Sequence, residues 1–184
     1  MDRDLVEAAR DRDREAYADL IRVRGDRLYA LAHRILRDVD RAEDALQEAL
    51  IAAWRDLPGL REPDRFDAWL HRLVVNACYV EARGERRRIA HIRVLDLEAR
   101  TVPDIAQSLA TKDDLDHAFR GLSPEHRAVV VLHHHLGYPL TEIASTLGIP
   151  VGTARSRLHY GVRQLRAALD PEHRTITTSK ERSA

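Results

Sequence analysis

The sequence predicts an all-α protein: two small helical domains joined by a flexible linker, the C-terminal one a helix-turn-helix. Three observations predict it. Apolar residues recur every three to four positions along almost the whole chain, and no stretch shows the sustained apolar–polar alternation of a half-buried strand flanked by turns. Asp or Ser precedes the periodic runs, while Gly, Pro-Gly or Asp-Pro follows them, as helix starts and stops require. The two periodic blocks are separated by residues 91–112, where charges are mixed, Pro103 interrupts and no apolar face persists. The resulting boundaries are 1–90, a linker 91–112, 113–170, and a frayed Thr/Ser-rich tail 171–184. At this size each domain alone is only marginally stable.

Each element follows from its own residues. Residues 14–24 form an amphipathic segment that Gly25 ends, and 26–37 form the next. Asp40 with Glu43 three positions on is a capping-box pattern that opens a helix over 41–57, which Pro58-Gly59 stops. Asp64 caps a long helix over 65–88, with Phe66, Trp69, Leu70, Leu73, Val74, Ala77 and Val80 on one stripe. After a helix at 113–122, Ser123 caps the next and Pro124 fits its first turn, with Gly137 placed to close it beyond Leu136. Thr141 starts a short helix that Gly148 breaks, and Val151–Leu169 is the last, ended by Asp170-Pro171.

Composition bounds the function. The 184 residues carry 30 basic and 30 acidic side chains, 44% apolar and 33% charged, a folded rather than disordered balance. No apolar run approaches the ~20 residues of a membrane span. Met1-Asp2-Arg3-Asp4 lacks a signal-peptide pattern, so a cytoplasmic protein without membrane insertion is expected. The single Cys78 supports neither a disulfide framework nor a thiolate zinc cluster. Consecutive helical residues point about 100° apart, so His133, His134 and His135 do not converge on one ion. No metal or cofactor is expected. There is no glycine-rich phosphate loop, metal-ligand spacing or nucleophile elbow, so an enzyme is not expected either.

Zero net charge conceals a segregated distribution. Residues 83–93 hold five Arg and one Glu, and 148–169 hold four Arg and no acid, while five acids crowd between Asp38 and Glu48. On a helical wheel of the last helix, Val151, Ala154, Leu158, Val162, Leu165 and Leu169 share the packing face. Thr153, Ser156, Arg157, Tyr160, Arg163 and Gln164 share the opposite one, with Arg155 and His159 flanking. A basic, carboxylate-free second helix after a glycine turn is a helix-turn-helix reader of phosphates and base edges. The long helix carries a second stripe, Arg72, Asn76, Tyr79, Arg83 and Arg87, whose guanidinium, amide and aromatic groups suit opened DNA; a solvated basic face fits the periodicity equally. Asp38, Asp40, Glu43, Asp44 and Glu48 gather around Gln47, with Trp54 further along, and repel phosphate, so that surface should meet protein.

Three stretches, AEDALQEALIAAW (42–54), FDAWLHRLVVN (66–76) and LTEIASTLGIPVGTARSRL (140–158), together resemble the extracytoplasmic-function sigma factors of bacterial RNA polymerase. The similarity covers about 14–90 and 115–169. It implies that the first unit is domain two, with Asp44, Gln47 and Glu48 on the surface that docks on core polymerase, and Asn76 with its helix at the minus-ten element. It implies that the second is domain four, with Arg155, Ser156 and His159 at the minus-thirty-five element. The implied partners are core polymerase and promoter DNA. The family is commonly held inactive by an anti-sigma factor, though no residue here shows one. Two positions depart from the family pattern: Tyr160-Gly161-Val162 replaces an Arg-Ala-Arg-like run, and Val80 stands where an acid is common. The competing reading is a stand-alone helix-turn-helix transcriptional regulator with a dimerising or sensing N-terminal unit.

Overall fold

A computed structural model describes residues 2–95 and 112–170. The predicted tail and most of the predicted linker lie outside the described residues. The N-terminal unit comprises α1 (Asp2–Arg10), α2 (Arg14–Leu36), α3 (Val39–Asp56) and α4 (Phe66–Leu95); the C-terminal unit comprises α5 (Lys112–Arg120), α6 (Pro124–His134), α7 (Leu140–Leu147) and α8 (Val151–Leu169). No strand occurs among the described residues.

Several local expectations are corrected. Gly25 does not end a helix: α2 runs through it, and the ~1 kcal/mol glycine penalty is met by packing on both sides, with Leu20, Leu28, Leu31 and Ile35 all buried. The cap of α3 is Asp38, whose carboxylate accepts from the Arg41 N–H at 2.9 Å, rather than Asp40. Pro63–Arg65 form a short 3-10 turn, so α4 opens at Phe66 and Asp64 is not its cap. Ser123 caps α6 as expected, accepting from the His126 N–H, and Gly148 closes α7 at φ 64. Helix α1 was not foreseen. It buries Val6 and Ala9, and Arg12 ties it to α3 through the Trp54 carbonyl at 3.0 Å.

Small residues set the spacing of the N-terminal unit. Ala42, Ala45, Ala49 and Ala53 are buried along one edge of α3, which lets it pack closely on α2 and α4. On α4, Phe66, Leu70, Val74, Val75, Cys78 and Ala82 are buried, but Val80, expected in the apolar stripe, is 65% exposed. In the C-terminal unit five consecutive residues of α6, Ala128 to Leu132, are buried, so α6 is its central helix. Gly161 of α8 lies against it: a Cβ there would sit 2.7 Å from Val130 Cγ2. The glycine that departs from the family pattern is therefore a packing requirement.

The two units pack against each other. Helices α2 and α4 meet α6 and α7, and one buried core runs from Val6 to Ala154 through both. No helix among the described residues is long and apolar enough to cross a membrane.

Candidate nucleic-acid interface

The basic face of α8 is built by the turn before it. Gly148 in the left-handed region lets the chain reverse after α7, and α8 starts at Val151 with no acid in its first turn. Arg155, Ser156, His159, Tyr160, Arg163 and Gln164 are exposed, whereas Thr153 and Arg157 are half-buried. The open surface is thus centred on Arg155, Ser156, His159 and Arg163, one step round the wheel from the predicted centre. Arg155 and His159, expected at its flank, are within it. The predicted packing face has the same rotation: Ala154 and Gly161 are buried, while Val151 and Leu169 at its ends are exposed. Arg163 stacks its guanidinium 5.4 Å from the Tyr160 ring centre, which orients both groups outward.

On α4, Arg72, Asn76, Arg83 and Arg87 are exposed on one stripe. Tyr79 is not free to stack on a base here. It is half-buried, its hydroxyl is enclosed without a hydrogen-bond partner, and burial pushes its ionisation up, with Arg157 and Glu125 of the other unit close enough to act on it. At the start of α4 an open cavity of about 190 Å³ is lined by Leu60, Arg61, Glu62, Arg65, Ala68, Trp69 and Arg72, with Ser145 and Thr146 of α7 on its far side. Three guanidiniums beside a half-buried indole suit a phosphate and an unstacked base, with Glu62, 4.0 Å from Arg65, offsetting one of the positive charges. Sequence reading missed Arg61 and Arg65 because they sit in a turn without periodicity. The signal available was two Arg flanking a Pro-Asp turn immediately before an aromatic helix start.

The acidic face lies elsewhere. Asp44, Gln47 and Glu48 are exposed on α3, and Ile51 one turn on is 54% exposed. Trp54 belongs to the fold: its ring packs 5.1 Å from Tyr17 and under the Arg12 guanidinium at 5.4 Å, while the Tyr17 hydroxyl donates to the Leu50 carbonyl at 2.7 Å. Ile51 is the apolar side chain this face offers to a partner. Among the histidines, His133 Nδ1 lies 2.8 Å from the Tyr138 carbonyl oxygen, a link that holds the α6–α7 turn.

Comparison with known proteins identifies the family of each unit. Residues 20–88 match the family described as sigma-70 region 2, and residues 118–167 match sigma-70, region 4. The chain is 36% identical over 156 residues to the ECF RNA polymerase sigma factor SigE of Mycolicibacterium smegmatis, which covers 82% of this chain and 60% of that protein's length. It is 30% identical over 169 residues to the ECF RNA polymerase sigma factor SigW of Bacillus subtilis, covering 85% of this chain and 90% of that one. Identity to the ECF RNA polymerase sigma factor SigL of Mycobacterium tuberculosis is 34% over 145 residues, covering 77% and 82%. The fold matches that of the sigma factor RpoE of Bartonella quintana, solved in complex with the anti-sigma factor NepR, with TM-score 0.67, 22% identity and coverage of 83% and 96%. It also matches CnrH, solved in complex with the cytosolic domain of CnrY, with TM-score 0.64, 25% identity and coverage of 92% and 97%.

Proposed function

The chain belongs to the extracytoplasmic-function sigma factors of RNA polymerase, and from that premise we propose how its surfaces divide the work of promoter-specific initiation. Asp44, Gln47, Glu48 and Ile51 of α3 dock on core polymerase. The α4 stripe Arg72, Asn76, Arg83 and Arg87, with the cavity beside Trp69, takes the opened minus-ten element. Arg155, Ser156, His159 and Arg163 of α8 read the minus-thirty-five element. The single observation that carries this is segregation: exposed carboxylates on α3 and a carboxylate-free cationic face on α8, each within the unit that matches the corresponding sigma region. Such a face bonds phosphate and guanine edges without repulsion, while the α3 face excludes DNA and leaves itself to protein.

The chain contributes recognition, and bond formation belongs to the polymerase, so it is not itself an enzyme. It works where the polymerase does, in the cytoplasm. The RpoE relative is held by an anti-sigma factor, and we extend a partner of that class to this chain. The test is pull-down and run-off transcription with core polymerase. Asp44→Ala with Glu48→Ala should lose the pull-down while leaving promoter selectivity of any residual holoenzyme unchanged. Arg155→Ala should keep the pull-down and weaken minus-thirty-five binding by roughly 1–3 kcal/mol. Equal loss of both activities in both variants would refute the division.

A further inference from the structure

Where α2 meets α5 and α6 there is an open cavity of about 520 Å³, larger than the one of about 190 Å³ beside Trp69 and sharing no residue with either promoter face. We infer that it is a binding site for a small amphipathic carboxylate, with an apolar body seated between the helices and the carboxylate at Arg34. The sigma-factor reading assigns no ligand to this place, and the inference does not depend on it.

Side chains of three helices give the cavity its apolar walls. Leu115 and Phe119 stand one turn apart on α5, and Val130 and Val131 are adjacent on α6. Leu115 is 43% exposed and Phe119 half-buried, so α5 keeps apolar surface that no other helix covers. On α2 the lining residue next to Tyr29 is Ala30, whose methyl group leaves the width that a larger side chain would fill. Tyr29 and His33, four positions apart on α2, stack with ring centres 5.9 Å apart and planes at 23°, which makes one wall flat. A volume within the ~300–1,000 Å³ range, apolar walls and a few convergent polar groups are the form of a small-molecule site.

The polar groups select the sign of the ligand. Among the described residues, the charged side chains of the lining are Arg34 and Arg37 of α2 and Asp116 of α5. Arg37 pairs with Asp116, so that carboxylate is already neutralised. Arg34 makes no ion pair among the described residues; its Nη1 donates to the Ala30 carbonyl at 3.3 Å, within its own helix, which leaves the other donors of a half-buried guanidinium to a ligand. Its charge reaches across to α6: burial, then Arg34, lowers the His135 ionisation, so that imidazole is neutral at pH 7 and adds a hydrogen-bonding edge without adding charge. The imidazoles in the lining do not make a metal site, since no group of three His, Cys, Asp or Glu side chains among the described residues is placed to hold an ion. One uncompensated positive charge beside an apolar volume disfavours an organic cation. An anion brought there needs an opposite charge, which Arg34 supplies in the bidentate geometry that a guanidinium offers a carboxylate. Arg37 adds a second mark of a ligand site. It ends α2 at φ 59, strained for a non-glycine residue, and its Nε is enclosed without a hydrogen-bond partner. Strain and unspent donors of this kind collect at ligand sites.

The experiment titrates the full chain with sodium octanoate and with 2-naphthoate, each at submicellar concentration, by calorimetry and by thermal melting, beside 1-octanol as a neutral counterpart. A carboxylate should bind at one site and raise the melting midpoint with concentration, as ligation of the native state requires, and the tighter of the two identifies the body as alkyl or aromatic. 1-Octanol should bind several-fold more weakly than octanoate. Arg34→Gln should weaken octanoate roughly tenfold and abolish its advantage over the alcohol, because the charge-assisted bonds are lost. Ala30→Phe, which fills the cavity and keeps Arg34, should remove binding of acid and alcohol alike. Leu115→Gln alters a side chain already open to water, so it keeps the fold and should weaken both ligands several-fold, which decides the matter if Ala30→Phe fails to fold. Absence of saturable binding by either carboxylate, equal affinity of octanoate and 1-octanol for the parent chain, or binding that survives unchanged in the cavity variants would overturn the inference. None of these outcomes bears on the promoter surfaces, which the pull-down and run-off assays test separately.

Discussion

Three helical glycines allow one substitution to be read against itself. At Gly25 of α2 and Gly84 of α4 an added Cβ meets nothing within 4 Å. At Gly161 of α8 it meets Val130 Cγ2 at 2.7 Å and Leu122 Cδ2 at 3.2 Å. Replacing a helical Gly by Ala stabilises by about 1 kcal/mol where there is room. At Gly161 the same gain is opposed by overpacking of about 1–3 kcal/mol. Val130 cannot swing aside easily, because a β-branched residue within a helix holds essentially one rotamer. The net expectation for Gly161→Ala is a loss of up to about 2 kcal/mol, against a gain of about 1 kcal/mol for Gly25→Ala. At roughly 2–4 °C per kcal/mol for a chain of this size, the two melting midpoints should differ by about 2–12 °C, readable by circular dichroism of the full chain. If Gly161→Ala raises the midpoint as much as Gly25→Ala, the close approach of α8 to α6 is wrong.

Three further outcomes follow from the site. Trp54→Ala should cost about 2–3 kcal/mol in thermal unfolding because it removes the Tyr17 and Arg12 contacts, whereas Ile51→Ser should melt within about 0.5 kcal/mol of the parent yet weaken the polymerase pull-down. Burial, aided by Arg24 of α2 and opposed by Asp67, lowers the His71 ionisation while its ring bonds Tyr138. The folded state therefore prefers the neutral ring, so this stability is complete above about pH 6.5 and is lost as pH falls below it. The melting midpoint should drop between pH 7.5 and 5.5, and His71→Gln should flatten that slope. Native Cys78 should resist thiol reagents at neutral pH and react fully on denaturation, because only the thiolate attacks and burial pushes its formation up to about 12.

What the sequence made legible was what periodicity and caps encode. The helical content, the Ser123 cap, the Gly148 turn and the extent of α8 all follow from side chains that act on their own segment. Where two local signals competed, the stronger lay in tertiary packing. Gly25 reads as a stop until Leu28, Leu31 and Ile35 are seen to need the same helix for burial. Asp38 outranks Asp40 because capping depends on an extended backbone at that residue, φ −149 and ψ 129, which composition does not reveal. The rotation of the α8 face has the same origin. A wheel weights apolar residues alone, yet Gly161, with no side chain at all, is the position of closest approach and turns Arg155 and His159 outward.

The contact between the units was illegible for a different reason. Its named bonds join polar groups that read as solvent-facing in sequence: Arg127 to a backbone carbonyl, His71 to a phenol, Arg37 to Asp116, Arg65 to a serine. Hydrophobic patterning has no means to pair them, since their separations along the chain range from 67 residues for His71–Tyr138 to 92 for Arg127–Ile35. Guanidinium bonds to carbonyls and hydroxyls replace bonds to water that the same groups make in the unfolded chain, so each adds only about 1 kcal/mol net. Four arginines, Arg37, Arg41, Arg86 and Arg127, crowd near a seam that offers them Asp116 and Glu125, so repulsion among like charges limits the stability of the contact.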